Sequence, residues 1–511
     1  MFQWSMSKIK QHILTGTALA AAFLLQLFSS GNWMSASAPW VGLPIWLLLF
    51  RYGNRAIVSV AAVVFLGASL VAWRGMIDDL FLRFAVIGGI GSLTLLLFLI
   101  DRILVRRLVE SRGVCVASFV FPTALTAMEL ILTRLSPYGS WSILGYTQSS
   151  NLPLIQMAAV TGVYGVSFLI GWVSSVLCFL VRYAFAPEES SVSLGFHRVR
   201  LLVVSCFVLS GSIFLMGTVR MTLSQETPSV RVAGITVDMS HLRGDVLHSV
   251  FDGSISKSDL KTYDAELFKI RDELFEATAR EAHAGARLVL WPETNGAILA
   301  GQNDSLLDRA ARTAKEPRIY LLITPTVIHP GKNRMDLRAA LFGPDGSLLF
   351  DYDKTTVVPG DPNIPGPGKL PFAMTSFGKV SAAICFDGDF PGLIRQAGQG
   401  RADLLLLPSS DWREIDPVHS RMMVFRAIEN GSNLFRQTNL GLSLAADYTG
   451  RVLGETDHFR ASDRTLVVQM PTSGVWTPYS AAGDAFSWLA AIGFLILLTL
   501  AMKANVRRSE P

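Results

Sequence analysis

The sequence predicts a chain of two structural kinds: a multi-pass α-helical membrane domain of eight spans, and an α/β domain inserted before the last span. Three observations predict it. Apolar residues fill 50% of 511 positions and charged residues 17%, a balance too apolar for a soluble globular chain. Apolar runs that suit a hydrocarbon core of roughly 30 Å crowd residues 1–218, and another closes the chain. Between them, residues 219–483 alternate short apolar runs with amphipathic helical spacing, the pattern of a buried sheet flanked by helices.

The expected spans lie at 12–30, 36–50, 55–73, 82–100, 115–133, 160–183, 200–218 and 484–503. The second is short and interrupted by Pro39 and Pro44. The first follows Lys8 and Lys10 and reads as a span rather than a cleaved signal, because further spans follow at once. The net charge of +5 is topological rather than a nucleic-acid footprint, since Lys and Arg are scattered between apolar runs. Lys8 and Lys10, Arg51 and Arg55, RILVRR at 102–107 with Arg112, Arg182 with HRVR at 197–200, and Lys503 with Arg507 and Arg508 fall on one side of eight alternating spans. That side is the cytoplasmic one. The expected organisation is therefore a membrane domain over 1–218, a catalytic domain over 219–483 outside the cytoplasmic membrane, and a last span with a short tail over 484–511.

In the polar region VRVAGITV (230–237), ARLVLWPE (286–293), IYLLITPTVI (319–328), KVSAAICF (379–386) and ADLLLLPS (402–409) predict buried strands. Residues 260–284, 303–315 and 417–431 have helical spacing, and hairpins are expected around Asp345-Gly346 and Gly450. Cys115, Cys178 and Cys206 lie in apolar runs, and Cys385 is the one cysteine of the polar region. A disulfide framework and a Cys-rich metal site are not expected, and no metal or cofactor is implied.

Three polar residues stand at expected strand ends: Glu293 after LVLWP, Lys354 in FDYDK after the first hairpin, and Cys385 after SAAI. A thiol becomes a nucleophile on deprotonation, so a catalytic Cys needs a base and a nearby positive charge. Glu293 can take the proton, and Lys354, with backbone N–H groups after Cys385, can stabilise an oxyanion. The set suits acyl transfer through a thioester. Taken singly, each residue reads as core packing, a loop start or a solvated charge; their order and shared strand-end context give the signal.

Trp291-Pro292-Glu293, then Tyr352-Asp353-Lys354, then Ile384-Cys385-Phe386-Asp387 resembles the nitrilase superfamily with its Glu-Lys-Cys triad. With the membrane spans, Glu129, SPYGSWSILGYTQ (136–148), AAVTGVYGVSFLI (158–170) and FRAIENGSNLFRQTNLGLSLAADYTGR (425–451), the chain resembles the membrane-anchored apolipoprotein N-acyltransferase family. The resemblance implies an α-β-β-α sandwich, Cys385 as nucleophile, Glu293 as general base and acid, and Lys354 as oxyanion stabiliser. It implies a phospholipid acyl donor, a diacylated lipoprotein acceptor, no nucleic acid, and a place in the bacterial inner membrane with the catalytic domain on the periplasmic side. Asp361, Asp387 and Phe386 take supporting positions; the family carries Glu and Tyr-Glu where this chain has Asp361 and Phe386-Asp387. The compact Lys-to-Cys segment also suits a membrane-tethered amidase. Tyr146, His419 and Trp412 are placed near the substrate entrance, outside the catalytic set.

Overall fold

Long apolar helices and short buried strands segregate along the chain, because a helix satisfies its own backbone in hydrocarbon whereas a strand needs a partner. The computed structural model describes every residue except 1–7, 78, 186–194, 224–226, 240, 241, 243 and 507–511. Arg507 and Arg508, used above for orientation, lie outside the described residues. The chain divides into two compact units: residues 1–135, 141–222 and 484–511 form one, and 136–140 with 223–483 form the other.

In the first unit, six described helices are long and apolar enough to cross a membrane: Arg55–Ala72, Leu80–Arg112, Val114–Leu135, Val163–Phe185, Phe196–Thr222 and Ala485–Ala504. These six cover the runs expected at 55–73, 82–100, 115–133, 160–183, 200–218 and 484–503. The run at 12–30 lies in the helix Lys8–Leu27, whose apolar part is His12–Leu27, and the run at 36–50 becomes Ala38–Tyr52, a helix of 15 residues with Pro44 inside it. Pro44 has no N–H for the helical ladder, which weakens that helix as a straight span. The run at 82–100 extends to Arg112, so the basic RILVRR segment is helical. Residues 152–161 break into the short helices Leu152–Ile155 and Ala158–Thr161.

Two buried charged side chains of this unit, Arg51 and Glu129, hold specific polar partners, as burial requires. Arg51 Nε donates to Asp101 Oδ2 at 2.6 Å and Nη2 donates to Asp101 Oδ1 at 2.9 Å and to Ser175 Oγ at 2.8 Å, tying together three helices. Glu129 Oε1 accepts the Leu144 N–H at 2.9 Å, and Ser167 Oγ accepts the Gly145 N–H at 2.8 Å. Gly145 permits this approach because a Cβ there would stand 2.6 Å from the Val163 carbonyl oxygen.

The second unit is α/β. Strand Ser229–Gly234 pairs with Leu288–Leu290 in parallel and with Leu466–Pro471 in antiparallel fashion, and Leu288–Leu290 pairs in parallel with Tyr320–Ile323, within an eight-stranded sheet. The six-stranded sheet carries Gly378–Ala382, Leu404–Leu406 and Asn433–Arg436 side by side in parallel. Helices Lys257–His283 and Asn303–Lys315 cover the first sheet with Ile270, Leu274, Phe275 and Ala310, which pack on Val289, Trp291, Leu321 and Phe342. Helix Val418–Asn430 lies on the second sheet. The short, fully buried strands read as continuous apolar runs because both faces are covered. Both expected hairpins form, Arg334–Phe342 with Leu348–Asp353 and Leu442–Ala446 with Val452–Asp457. The expected strand 319–328 splits into Tyr320–Ile323 and Pro325–His329.

Candidate active site

The site assembles where three chain segments leave their strands. Leu288–Leu290 runs into a buried turn, where Trp291 Nε1 donates to Thr278 Oγ1 at 3.0 Å and so anchors the approach to Glu293. Lys354 follows Leu348–Asp353; its N–H donates to the Leu337 carbonyl at 2.9 Å, and its carbonyl accepts the Gly366 N–H at 2.8 Å. These bonds hold the backbone while Nζ reaches Glu293 Oε1 at 2.7 Å. Glu293 is 3% exposed, Lys354 2% and Cys385 4%, so the pair and the thiol share a water-poor environment.

Cys385 does not close its strand, as the apolar run suggested. The strand ends at Ala382, and Cys385 opens a 3₁₀ turn, Cys385–Asp389, with φ of +45°. That left-handed conformation is strained for a side chain bearing a Cβ and is held by neighbours. The Cys385 N–H donates to the Pro408 carbonyl at 2.9 Å, and Sγ lies 3.4 Å from the Ser410 carbonyl it donates to. The turn takes Cys385 out of the strand and sets its thiol against the Ser410 carbonyl.

Asp387 fastens this turn to the Lys354 segment. Its Oδ2 accepts from Ile384 N–H at 3.0 Å and Tyr352 O–H at 2.8 Å, while Oδ1 accepts from Thr356 N–H and Thr356 O–H, both at 2.7 Å, and from Thr355 N–H at 3.2 Å. Residues on both sides of Lys354 are thereby bound to the residue two after the thiol. Burial pushes the Asp387 carboxyl up, with these donors opposing it. Asp387→Ala strands several buried donors and is expected to destabilise the unit by about 2–3 kcal/mol; an unchanged unfolding temperature would refute the clamp. Phe386 is buried and meets Phe390 edge-on at 5.3 Å. Asp361 is exposed as a residue, yet desolvation of its carboxyl pushes it up while Lys354 opposes.

Burial, then Glu293, push the Cys385 thiol well above its ordinary value, and Lys354 counteracts them. The thiol therefore rests protonated and needs a base at the moment of reaction. Burial opposes the charge of Lys354, but Glu293 outweighs it and holds the ammonium above the usual Lys range.

A second polar group was not expected from the sequence. His419 Nδ1 lies 2.7 Å from Asp411 Oδ1 and Nε2 lies 2.9 Å from Asp389 Oδ2, and Arg436 forks onto Asp411 at 2.8 and 3.0 Å. All four are buried. Asp411 adjoins Ser410, whose carbonyl meets the thiol, so the group braces the wall behind Cys385. Residues 136–140 reach it too: the Asp389 carbonyl accepts the Ser140 N–H at 2.9 Å and its O–H at 2.8 Å. The four charges lie far apart in sequence, and His419 singly reads as packing on a helix. The hint was Asp389, two residues past Asp387 in the same acidic turn. Cys385, Asp411 and His419 also hold donor atoms within 4.8 Å of one another, but Asp411 and both His419 nitrogens have protein partners and Arg436 supplies a cation already.

Burial opposes charge on His419, but Asp389 and Asp411 outweigh it and raise the ring to about 9. A folded pKa above the unfolded value of roughly 6.5 stabilises fully below that pH and is lost as pH rises towards about 9. Thermal unfolding of the detergent-solubilised chain is expected to weaken across that window, by up to about 3 kcal/mol. Asp389→Asn should flatten the dependence, and an equally steep profile in that variant would refute the assignment.

Residues 12–176 match the family model described as the apolipoprotein N-acyltransferase N-terminal domain, and residues 260–475 match the model described as carbon-nitrogen hydrolase. The apolipoprotein N-acyltransferase of Geobacter metallireducens is 26% identical, with 96% of this chain and 94% of that protein covered. The apolipoprotein N-acyltransferase of Haemophilus influenzae is 24% identical, with 77% of this chain and 75% of that protein covered. Among solved structures, an amidase from Nesterenkonia sp. is 21% identical with a TM-score of 0.40, covering 52% of this chain and 96% of its own.

Proposed function

Because the chain belongs to the apolipoprotein N-acyltransferase family, we propose that it acylates the N-terminal amine of diacylated lipoproteins through a thioester on Cys385, with a phospholipid as donor. It is an acyltransferase, and lipoprotein N-acylation is its activity. The observation that carries the thioester reading is the buried Lys354–Glu293 pair at 2.7 Å, within electrostatic reach of a thiol at positive φ.

In the first half-reaction Glu293 accepts the thiol proton and Cys385 Sγ attacks the donor's ester carbonyl. The tetrahedral oxyanion is met by the Lys354 ammonium and backbone N–H groups. Collapse breaks the ester C–O bond, the proton returns from Glu293 to the leaving oxygen, and a lysophospholipid departs. In the second half-reaction the lipoprotein amine attacks the thioester, the C–S bond breaks, and the proton taken from the amine by Glu293 goes to the Cys385 thiolate. Asp387 positions the Lys354 segment, and Asp361 and Phe386 border it.

Both substrates carry acyl chains best kept in hydrocarbon, which explains why the catalytic domain, 219–483, is tethered by spans before and after it. The reading takes that domain as an α-β-β-α sandwich on the periplasmic face of the bacterial inner membrane, with 1–218 and 484–511 as the membrane parts in eight crossings. Purified enzyme given phosphatidylethanolamine and a diacylated lipopeptide should yield triacylated product. Release of ammonia from small amides with no lipid donor required would instead make it an amidase.

A further inference from the structure

We propose that Asn439 binds the amine that accepts the acyl chain, a role that rests on the thioester reading above. Asn439 ends the short strand Thr438–Asn439, which pairs in parallel with Ser409–Ser410, so Asn439 is the register partner of Ser410. The Ser410 carbonyl accepts the Cys385 thiol at 3.4 Å, and the Asn439 carbonyl accepts the Asp411 N–H at 2.9 Å. From the other side, Asn439 Nδ2 lies 3.5 Å from Oγ1 of Thr294, the residue that follows Glu293. Asn439 thus lies between the strand whose Ser410 carbonyl meets the thiol and the segment bearing the base.

Its Oδ1 is buried and accepts no hydrogen bond among the described residues, in a side chain belonging to a residue only 3% exposed. An unmet buried acceptor costs stability and calls for a ligand. An attacking primary amine supplies the missing donor. To aim its lone pair at the thioester carbon it must place two N–H groups: Glu293 takes one proton, and Oδ1 accepts a hydrogen bond from the other. A neutral amide suits this better than a carboxylate, since a negative charge would favour the protonated ammonium, which has no lone pair to attack with. The ester half-reaction brings no amine nucleophile, so it makes no use of Oδ1.

The test is single-turnover kinetics of the full-length, detergent-solubilised enzyme, with phosphatidylethanolamine followed by a synthetic diacylglyceryl-cysteine lipopeptide. Asn439→Ala is expected to form the Cys385 thioester at the wild-type rate, which also certifies its fold, and to pass the acyl chain on about 10- to 100-fold more slowly. Asn439→Asp is expected to shift the pH profile of the transfer step to higher pH while thioester formation keeps its own. Equal loss in both half-reactions, or unimpaired transfer in Asn439→Ala, overturns the proposal. If the wild-type enzyme forms no thioester at all, the parent mechanism falls and this role with it; if it forms and transfers one normally, only Asn439 stands or falls.

Discussion

Cys385→Ala is expected to abolish both the acyl-enzyme and the triacylated product, a fall on the order of 10⁴-fold or more, because no other group at the site can form the covalent intermediate. The loss should be chemical rather than structural. The Cys385 backbone is held by its N–H bond to the Pro408 carbonyl and by the Asp387 clamp, neither of which uses the sulfur. The unfolding temperature should therefore stay within about 3 °C of wild type. Intact-protein mass spectrometry after incubation with phospholipid reads the result directly. An acyl adduct that persists in Cys385→Ala would place the thioester elsewhere and sink the assignment.

Lys354→Met should be the second severe change, and it should act twice. Loss of the ammonium removes charge stabilisation of the oxyanion, worth about 10²- to 10³-fold in the rate of acylation. It also leaves Glu293, 3% exposed, as a buried carboxylate without its 2.7 Å partner. Removing one member of a buried pair costs about 3–5 kcal/mol, whereas replacing both members with neutral groups costs far less. The double variant Lys354→Met/Glu293→Gln is thus expected to recover most of the stability and none of the activity. A double variant as unstable as the single one would show that the pair is not the source of the loss. Full acylation in Lys354→Met would remove Lys354 from the mechanism.

Much of the layout was legible because it is written locally. Apolar runs of helical length and short apolar runs bounded by turns are one-dimensional patterns, and the helices expected at 303–315 and 417–431 form within a residue or so of those bounds. Glu293 and Cys385 could be picked out because each follows an apolar run, and Lys354 because it follows a hairpin, places where a strand hands the chain to a loop. Local reading was least exact at the ends of the first two apolar helices. The runs at 12–30 and 36–50 form helices of full length but shifted bounds, Lys8–Leu27 and Ala38–Tyr52, the latter with Pro44 inside.

The sequence by itself determined that the chain carries long apolar helices, that its polar region is α/β, and which three side chains to single out as candidates for acyl-transfer chemistry, since composition, periodicity and the order of short motifs are properties of neighbouring residues. The tertiary structure decided the rest: that Cys385 leaves its strand at positive φ, that Asp387 grips both flanks of Lys354, that His419 bridges Asp389 and Asp411, and that Asn439 pairs with Ser410 and reaches Thr294 with a buried acceptor unspent. Each depends on groups brought together from distant parts of the chain. Whether a buried charge or amide finds a partner is set by that three-dimensional company, and no spacing along the sequence encodes it.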